Sequence, residues 1–247
     1  MRRFAILLVA LASLAAGADA ADVRVLSAAA VQVPVTETAE QFMRETGHRV
    51  TFEFATAGQV DEKLSAGARP DVVISSSGRI AARTSANPAD AAAVRDMGTV
   101  RIGVTARKGA ARPDLSSAAR FRDALVRAES ITYGDPARGA TTGIHFSRIV
   151  DQLDLRGVLA GKTILAANGL DVVQKVSRGE AELGITQLSE ILHVDPSTLV
   201  GPLPDALQLA TTYVAWTPDP GNRAARELVE ALTAKQGRER FRAAGFD

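Results

Sequence analysis

Apolar positions along this 247-residue chain follow two alternating rhythms. Short β-branched runs end in small polar turns. Segments with apolar residues three and four apart follow them, as amphipathic helices require. Residues 23–26 read as a strand, and Val31, Val35, Ala39, Phe42 and Met43 recur at helical spacing after it. Gly47 ends that helix, and Val50, Phe52 and Phe54 alternate as in a second strand. A helix over residues 59–66 and a strand over 71–74 come next, then a loose segment over 86–97 and a strand over 100–104. Beyond these the pattern predicts a helix carrying Phe121 and Leu125, strands over 130–133, 162–165 and 182–185, and a helix over 170–176. It continues with a polar strand end over 186–190, strands over 199–203 and 209–216, and two C-terminal helices over 224–232 and 236–244. This βαβ rhythm predicts open, mostly parallel sheets flanked by helices. It restarts near residue 102, which suggests two α/β lobes.

In such sheets, ligands sit beyond the carboxyl ends of the strands. The stretch 134–143, Gly-Asp-Pro-Ala-Arg-Gly-Ala-Thr-Thr-Gly, lies at one such end, where Ile144, Phe146, Ile149 and Val150 begin a helix. A helix start offers free N–H groups and the positive end of the dipole, which suits an anion. Similar small or hydroxyl-bearing residues close other strands: Ser27 with Ala28, Thr56 with Ala57 and Gly58, Ser75, and Gln187 with Ser189. With Arg138, Gly139, Thr141, Thr142 and Gly143 they are the candidate ligand-binding residues. Each also has a purely local reading, because serine and threonine are common helix N-caps. Thr141 or Thr142 would cap the helix that follows them.

Composition narrows the classes. The chain is 46% hydrophobic and 23% charged, enough apolar material for two cores. It has no cysteine, so disulfides, thiol catalysis and thiolate metal sites are excluded. Its three histidines, His48, His145 and His193, lie far apart, so neither a metal site nor a cofactor is expected. Met-Arg-Arg, an apolar run over residues 4–16 and Ala18-Asp19-Ala20 read as a secretory signal over residues 1–20, cleaved after Ala20. Removing it takes away Arg2, Arg3 and Asp19 and leaves a mature charge of (29 − 2) − (28 − 1) = 0. Nucleic-acid binding therefore lacks electrostatic support. With 4% aromatics and a single Trp216, sugar stacking is disfavoured.

At this point the chain resembles a known family, the periplasmic solute-binding proteins of the molybdate-binding type. The resemblance rests on VRVLSAAAV, FMRETGHRVTFEFATAGQV, LSAGARPDVVISS, ITYGDPARGATTGIHFSRIV, VSRGEAELGITQLSEI and FRAAGFD, in the family's order. It implies a type II periplasmic binding fold with a ligand cleft between two lobes. The first lobe would comprise residues 21–101 and 212–247, and the second 102–211. It also implies a monomer that delivers a small anion to an ABC transporter.

The departures bear on the ligand. Molybdate binders of this family usually carry serine after the first strand and Ser-Gly after the second. Here these positions read Ala28-Ala29-Ala30-Val31 and Thr56-Ala57-Gly58, and the Thr186-Gln187 region replaces a tyrosine used by family members. An oxyanion would lose donors, whereas Arg138 and the paired threonines suit an organic carboxylate. DPARGATTGIHFSRI, GEAELGITQLSEI and LVGPLP look more like a branch that includes periplasmic aconitate isomerase. An isomerase on this scaffold would need a base. His145 shares a helix face with Thr141 and Thr142 and is the candidate, with a satisfied surface or core histidine as the alternative. Glu190 reads as a first-turn glutamate that favours a helix start.

Overall fold

The computed structural model describes residues 20–247. The expected export signal, apart from Ala20, lies outside the described residues. The strands are β1 (Asp22–Ala28), β2 (Arg49–Ala55), β3 (Val72–Ser76), β4 (Val94–Ala106), β5 (Ile131–Gly134), β6 (Thr163–Ala166), β7 (Leu183–Gln187), β8 (Leu199–Pro202) and β9 (Ala210–Trp216). The helices are α1 (Gln32–Thr46), α2 (Ala57–Ser65), α3 (Ser77–Thr84), α4 (Pro88–Ala92), α5 (Ala118–Arg127), α6 (Thr141–Gln152), α7 (Arg156–Leu159), α8 (Gly169–Ser177), α9 (Leu188–Val194), α10 (Arg223–Thr233) and α11 (Lys235–Ala243).

The strands run in the order β2-β1-β3-β9-β4-β7-β5-β6, with β8 paired to β4 off that path. β1 lies parallel to β2 and β3, and β5 lies parallel to β6 and β7. β4 and β9 run antiparallel to their neighbours and join the two groups. β4 is the physical link. Its residues Val94 to Arg101 pair with β9, and from Ile102 onward it pairs with β7. The hydrophobic interior divides in the same way. Val23, Val25, Val72 and Ile74 pack under α1, α10 and α11 through Val35, Phe42, Leu228 and Phe241. On the opposite face of that sheet, Leu26, Val73 and Val214 meet Val60, Leu64 and Ile80. A separate core gathers Ile102, Val104, Ile131 and Ile185 with Phe121, Leu125, Phe146 and Ile149. The molecule is thus a two-lobed α/β fold, and the parallel strands of both lobes end at a common cleft.

Two stretches depart from the sequence pattern. Residues 86–97 were expected to be loose, but they contain α4 and the first part of β4. Asn87 caps α4 through its side chain, with Pro88 at the first helical position. A register shift between Asp96 and Gly98 breaks the alternation that would have revealed the strand. The polar strand end expected over 186–190 is split. Thr186 and Gln187 finish β7, and α9 begins at Leu188.

Candidate functional site

A cleft of about 330 Å³, including its open mouth, lies where the strands end. From the first lobe it is lined by Ala28, Ala29 and Ala30 after β1, and by Ala55, Thr56 and Ala57 at the junction of β2 and α2. From the second lobe it is lined by Ala140, Thr141 and Thr142 at the start of α6, Asn168 and Gly169 at the start of α8, and Gln187 and Glu190. Tyr213 of β9 completes the lining.

Four helices, α2, α6, α8 and α9, begin at this cleft. In α6 the cap position is Ala140, in extended conformation and without a side-chain cap. Neither threonine caps the helix, contrary to the local reading of the sequence. They occupy its first two positions instead. The first helical hydrogen bond runs from Ile144 N–H to Ala140 O at 2.9 Å, so the N–H groups of Thr141, Thr142 and Gly143 precede the ladder. Gly143 is small for a packing reason, since any Cβ there would overlap the carbonyl of Gly134. In α2, Thr56 is the cap, and its Oγ1 accepts from Gln59 N at 3.2 Å. In α8, Asn168 Oδ1 accepts from Asp171 N at 3.0 Å, leaving the N–H groups of Gly169 and Leu170 ahead of the ladder. Neither α2 nor α6 has an acidic residue in its first turn. Among the lining residues there is no lysine, arginine or histidine. An anion placed there would meet backbone N–H groups and helix dipoles.

Three polar side chains of the lining, Gln187, Glu190 and Tyr213, share one corner. Gln187 Nε2 donates to the Tyr213 hydroxyl at 2.9 Å, and Gln187 Oε1 is buried with no partner among the described residues. Burial pushes the Tyr213 phenol up. Glu190 is 5% exposed. Its Oε2 accepts from the Thr186 hydroxyl and from Gln187 N at 3.2 Å. The second bond is the helix-start role read from the sequence. The carboxyl also lies against Gly169, where any Cβ would overlap it. Burial raises the pKa of Glu190, and its two hydrogen bonds oppose that rise only in part.

Thr56, Ala57, Ala28, Thr141, Thr142 and Gln187 of the sequence candidates line the cleft. Gly58 and Gly139 stand together where the two lobes meet, with Gly58 N–H bonded to Gly139 O at 3.1 Å. Ser27 is fully buried, and its Oγ donates to Ala28 O at 3.1 Å. Ser75 is fully buried, its Oγ has no partner among the described residues, and it does not line the cleft. Ser189 bridges the lobes instead, its Oγ donating to Ala30 O at 2.9 Å. Arg138 is exposed and contributes only its backbone carbonyl, which accepts from the Thr56 hydroxyl. His145 does not line the cleft, and its Nε2 lies 2.8 Å from Leu207 O. The sequence reading missed the methyls of Ala29, Ala30, Ala55 and Ala140, together with Asn168, Gly169 and Tyr213. Asn168 followed by Gly169 had a visible capping signature. Tyr213 sits mid-strand and had none.

The comparisons with known proteins agree with the fold. Over 97% of its length the chain is 29% identical to an aconitate isomerase of Pseudomonas sp, covering 93% of that protein. Over 93% it is 24% identical to the molybdate-binding protein ModA of Escherichia coli strain K12, covering 90% of that protein. The periplasmic molybdate-binding protein of Azotobacter vinelandii shares the fold with a TM-score of 0.72 at 18% identity, over 91% of this chain and 98% of that one. Residues 23–247 match the family model described as bacterial extracellular solute-binding protein, and the chain belongs to that family.

Proposed function

We propose that this protein, exported to the periplasm, captures a small organic carboxylate between its lobes and delivers it as a monomer to an ABC transporter. The observation that supports a carboxylate is the mixed lining, a few donors among many methyls. Helix N-termini of both lobes and the hydroxyls of Thr141, Thr142 and Tyr213 offer a limited set of donors. The methyls of Ala28, Ala29, Ala30, Ala55, Ala57 and Ala140 offer none. A tetrahedral oxyanion carries oxygen in every direction, and each oxygen buried without a donor costs about 1–3 kcal/mol. An organic acid can turn its carbon skeleton toward the methyls and its carboxylate toward the donors. A melting series with citrate, the aconitates, sulfate and molybdate tests the proposal. Stabilisation is expected from carboxylates alone. Stabilisation by molybdate alone would reject it.

A second reading is supported by Glu190 and by the likeness to an aconitate isomerase. Interconverting trans- and cis-aconitate needs an allylic proton shift. In this reading the ionised Glu190 carboxylate takes a proton from the substrate's methylene carbon. The double bond moves toward that carbon, and the carboxyl returns the proton to the former vinylic carbon. A carboxyl whose pKa is raised by burial is suited to both halves of the step. Glu190 replaces His145 as the base, since the Leu207 carbonyl occupies the His145 ring nitrogen outside the cleft lining. Purified mature protein mixed with trans-aconitate decides the matter: no cis isomer above the buffer rate eliminates the enzyme.

A further inference from the structure

Beside the cleft the two lobes touch backbone to backbone at a pair of glycines. Gly58, in the first turn of α2, faces Gly139, in the turn between β5 and α6. A Cβ built on Gly58 would stand 2.5 Å from Gly139 Cα, and one built on Gly139 would overlap Gly58 in the same way. Both obstructions are main chain, which cannot swing aside as a side-chain tip can. The seam is held by Gly58 N–H to Gly139 O at 3.1 Å and by the Thr56 hydroxyl to Arg138 O. Local backbone conformation explains only half of the pair. Gly139 has a φ of 69°, which favours glycine on its own account, whereas Gly58 has no positive φ. Alanine is the better residue inside a helix, so Gly58 has no helical reason to be glycine. Its reason lies across the cleft.

We infer that Gly58 and Gly139 are specificity-determining residues: their side-chain-free contact sets how closely the lobes approach, and so the width of the cleft and the size of the acid it holds. Neither residue lines the cleft. Their influence on affinity passes through the distance between Thr56 and Ala57 on one wall and Thr141 and Thr142 on the other. This inference rests on the capture of a carboxylate between the lobes and adds a determinant of its size.

Gly58→Ala separates the two claims, because the change suits α2 and obstructs only the seam. The lone variant should melt at or above the wild-type temperature. Its affinity for a small dicarboxylate such as succinate should fall by about tenfold for each interlobe hydrogen bond lost. Its affinity for citrate should fall less, because a wider cleft suits the larger acid. Small-angle scattering should give a larger radius of gyration for the variant than for the wild type under the same conditions. Equal radii, or equal affinities for both acids, would overturn the inference. If no carboxylate binds the wild type, the proposed function fails, and the scattering comparison still decides the role of the seam.

Discussion

The two walls of the cleft do the same job with different materials. The first lobe presents mostly methyls and main chain: of its two lining hydroxyls, that of Thr56 is already committed to capping α2 and to the carbonyl of Arg138, and that of Tyr213 accepts from Gln187. The second lobe presents free threonine hydroxyls, an amide and a carboxyl. In the proposed function, the methyls meet the carbon body of the acid and the donors of α6 meet its carboxylate. A symmetrical pair of donor walls would suit an oxyanion. The sparser donors of the first lobe are the basis for proposing an organic acid.

The strongest challenge to this contrast is to place a charge among the donors of α6. Thr141→Asp keeps nearly the same side-chain size and puts a carboxylate at the first position of α6. There it satisfies the helix dipole in place of the ligand. Carboxylate affinity by titration calorimetry should fall by at least about 100-fold, given Coulomb repulsion at contact distance, with no loss of melting temperature. A gentler change sharpens the contrast from the other side. Ala29→Ser adds a donor to the methyl wall, so the ratio of sulfate to carboxylate affinity should rise by about fivefold, the worth of roughly one hydrogen bond.

Glu190→Gln has a smaller, pH-dependent effect. Burial holds the folded pKa of Glu190 above its unfolded value of about 4.3. The folded protein therefore holds that proton more tightly. Its contribution to stability is full below the unfolded pKa and is lost as pH rises through the raised folded pKa. Melting scans across this window should show the wild type losing stability relative to Glu190→Gln as pH rises. Carboxylate affinity should weaken over the same interval, because the ionised Glu190 repels an anion, and the variant should show a flatter profile. Arg138→Ala should have the least effect, a change in affinity within about twofold, since an exposed guanidinium is screened by solvent.

These contrasts follow the line between what the sequence showed and what it hid. The parallel strands were legible because apolar runs such as 72–74 end in small polar turns. The helix start at Thr141 was legible for the same reason. The assignment of Arg138 to the ligand was not supported, since residue type reveals chemistry but not the direction of a side chain. His145 shares the helix face of the two threonines, yet its ring nitrogen meets the Leu207 carbonyl. Tyr213 reaches the cleft only because β9 is inserted between β3 and β4, a long-range pairing with no local signature. The alanines were the subtlest case. As missing serines they weighed against molybdate, but only the assembled cleft shows alanines from both lobes lining it.

Titration of the mature protein with citrate, cis-aconitate, trans-aconitate and molybdate, in one buffer and at one ionic strength, tests the carboxylate cleft most directly. Saturable binding of at least one organic acid at one site per chain, with molybdate at least about tenfold weaker, is the expected result. Tight molybdate binding with no heat from any of the acids would contradict it.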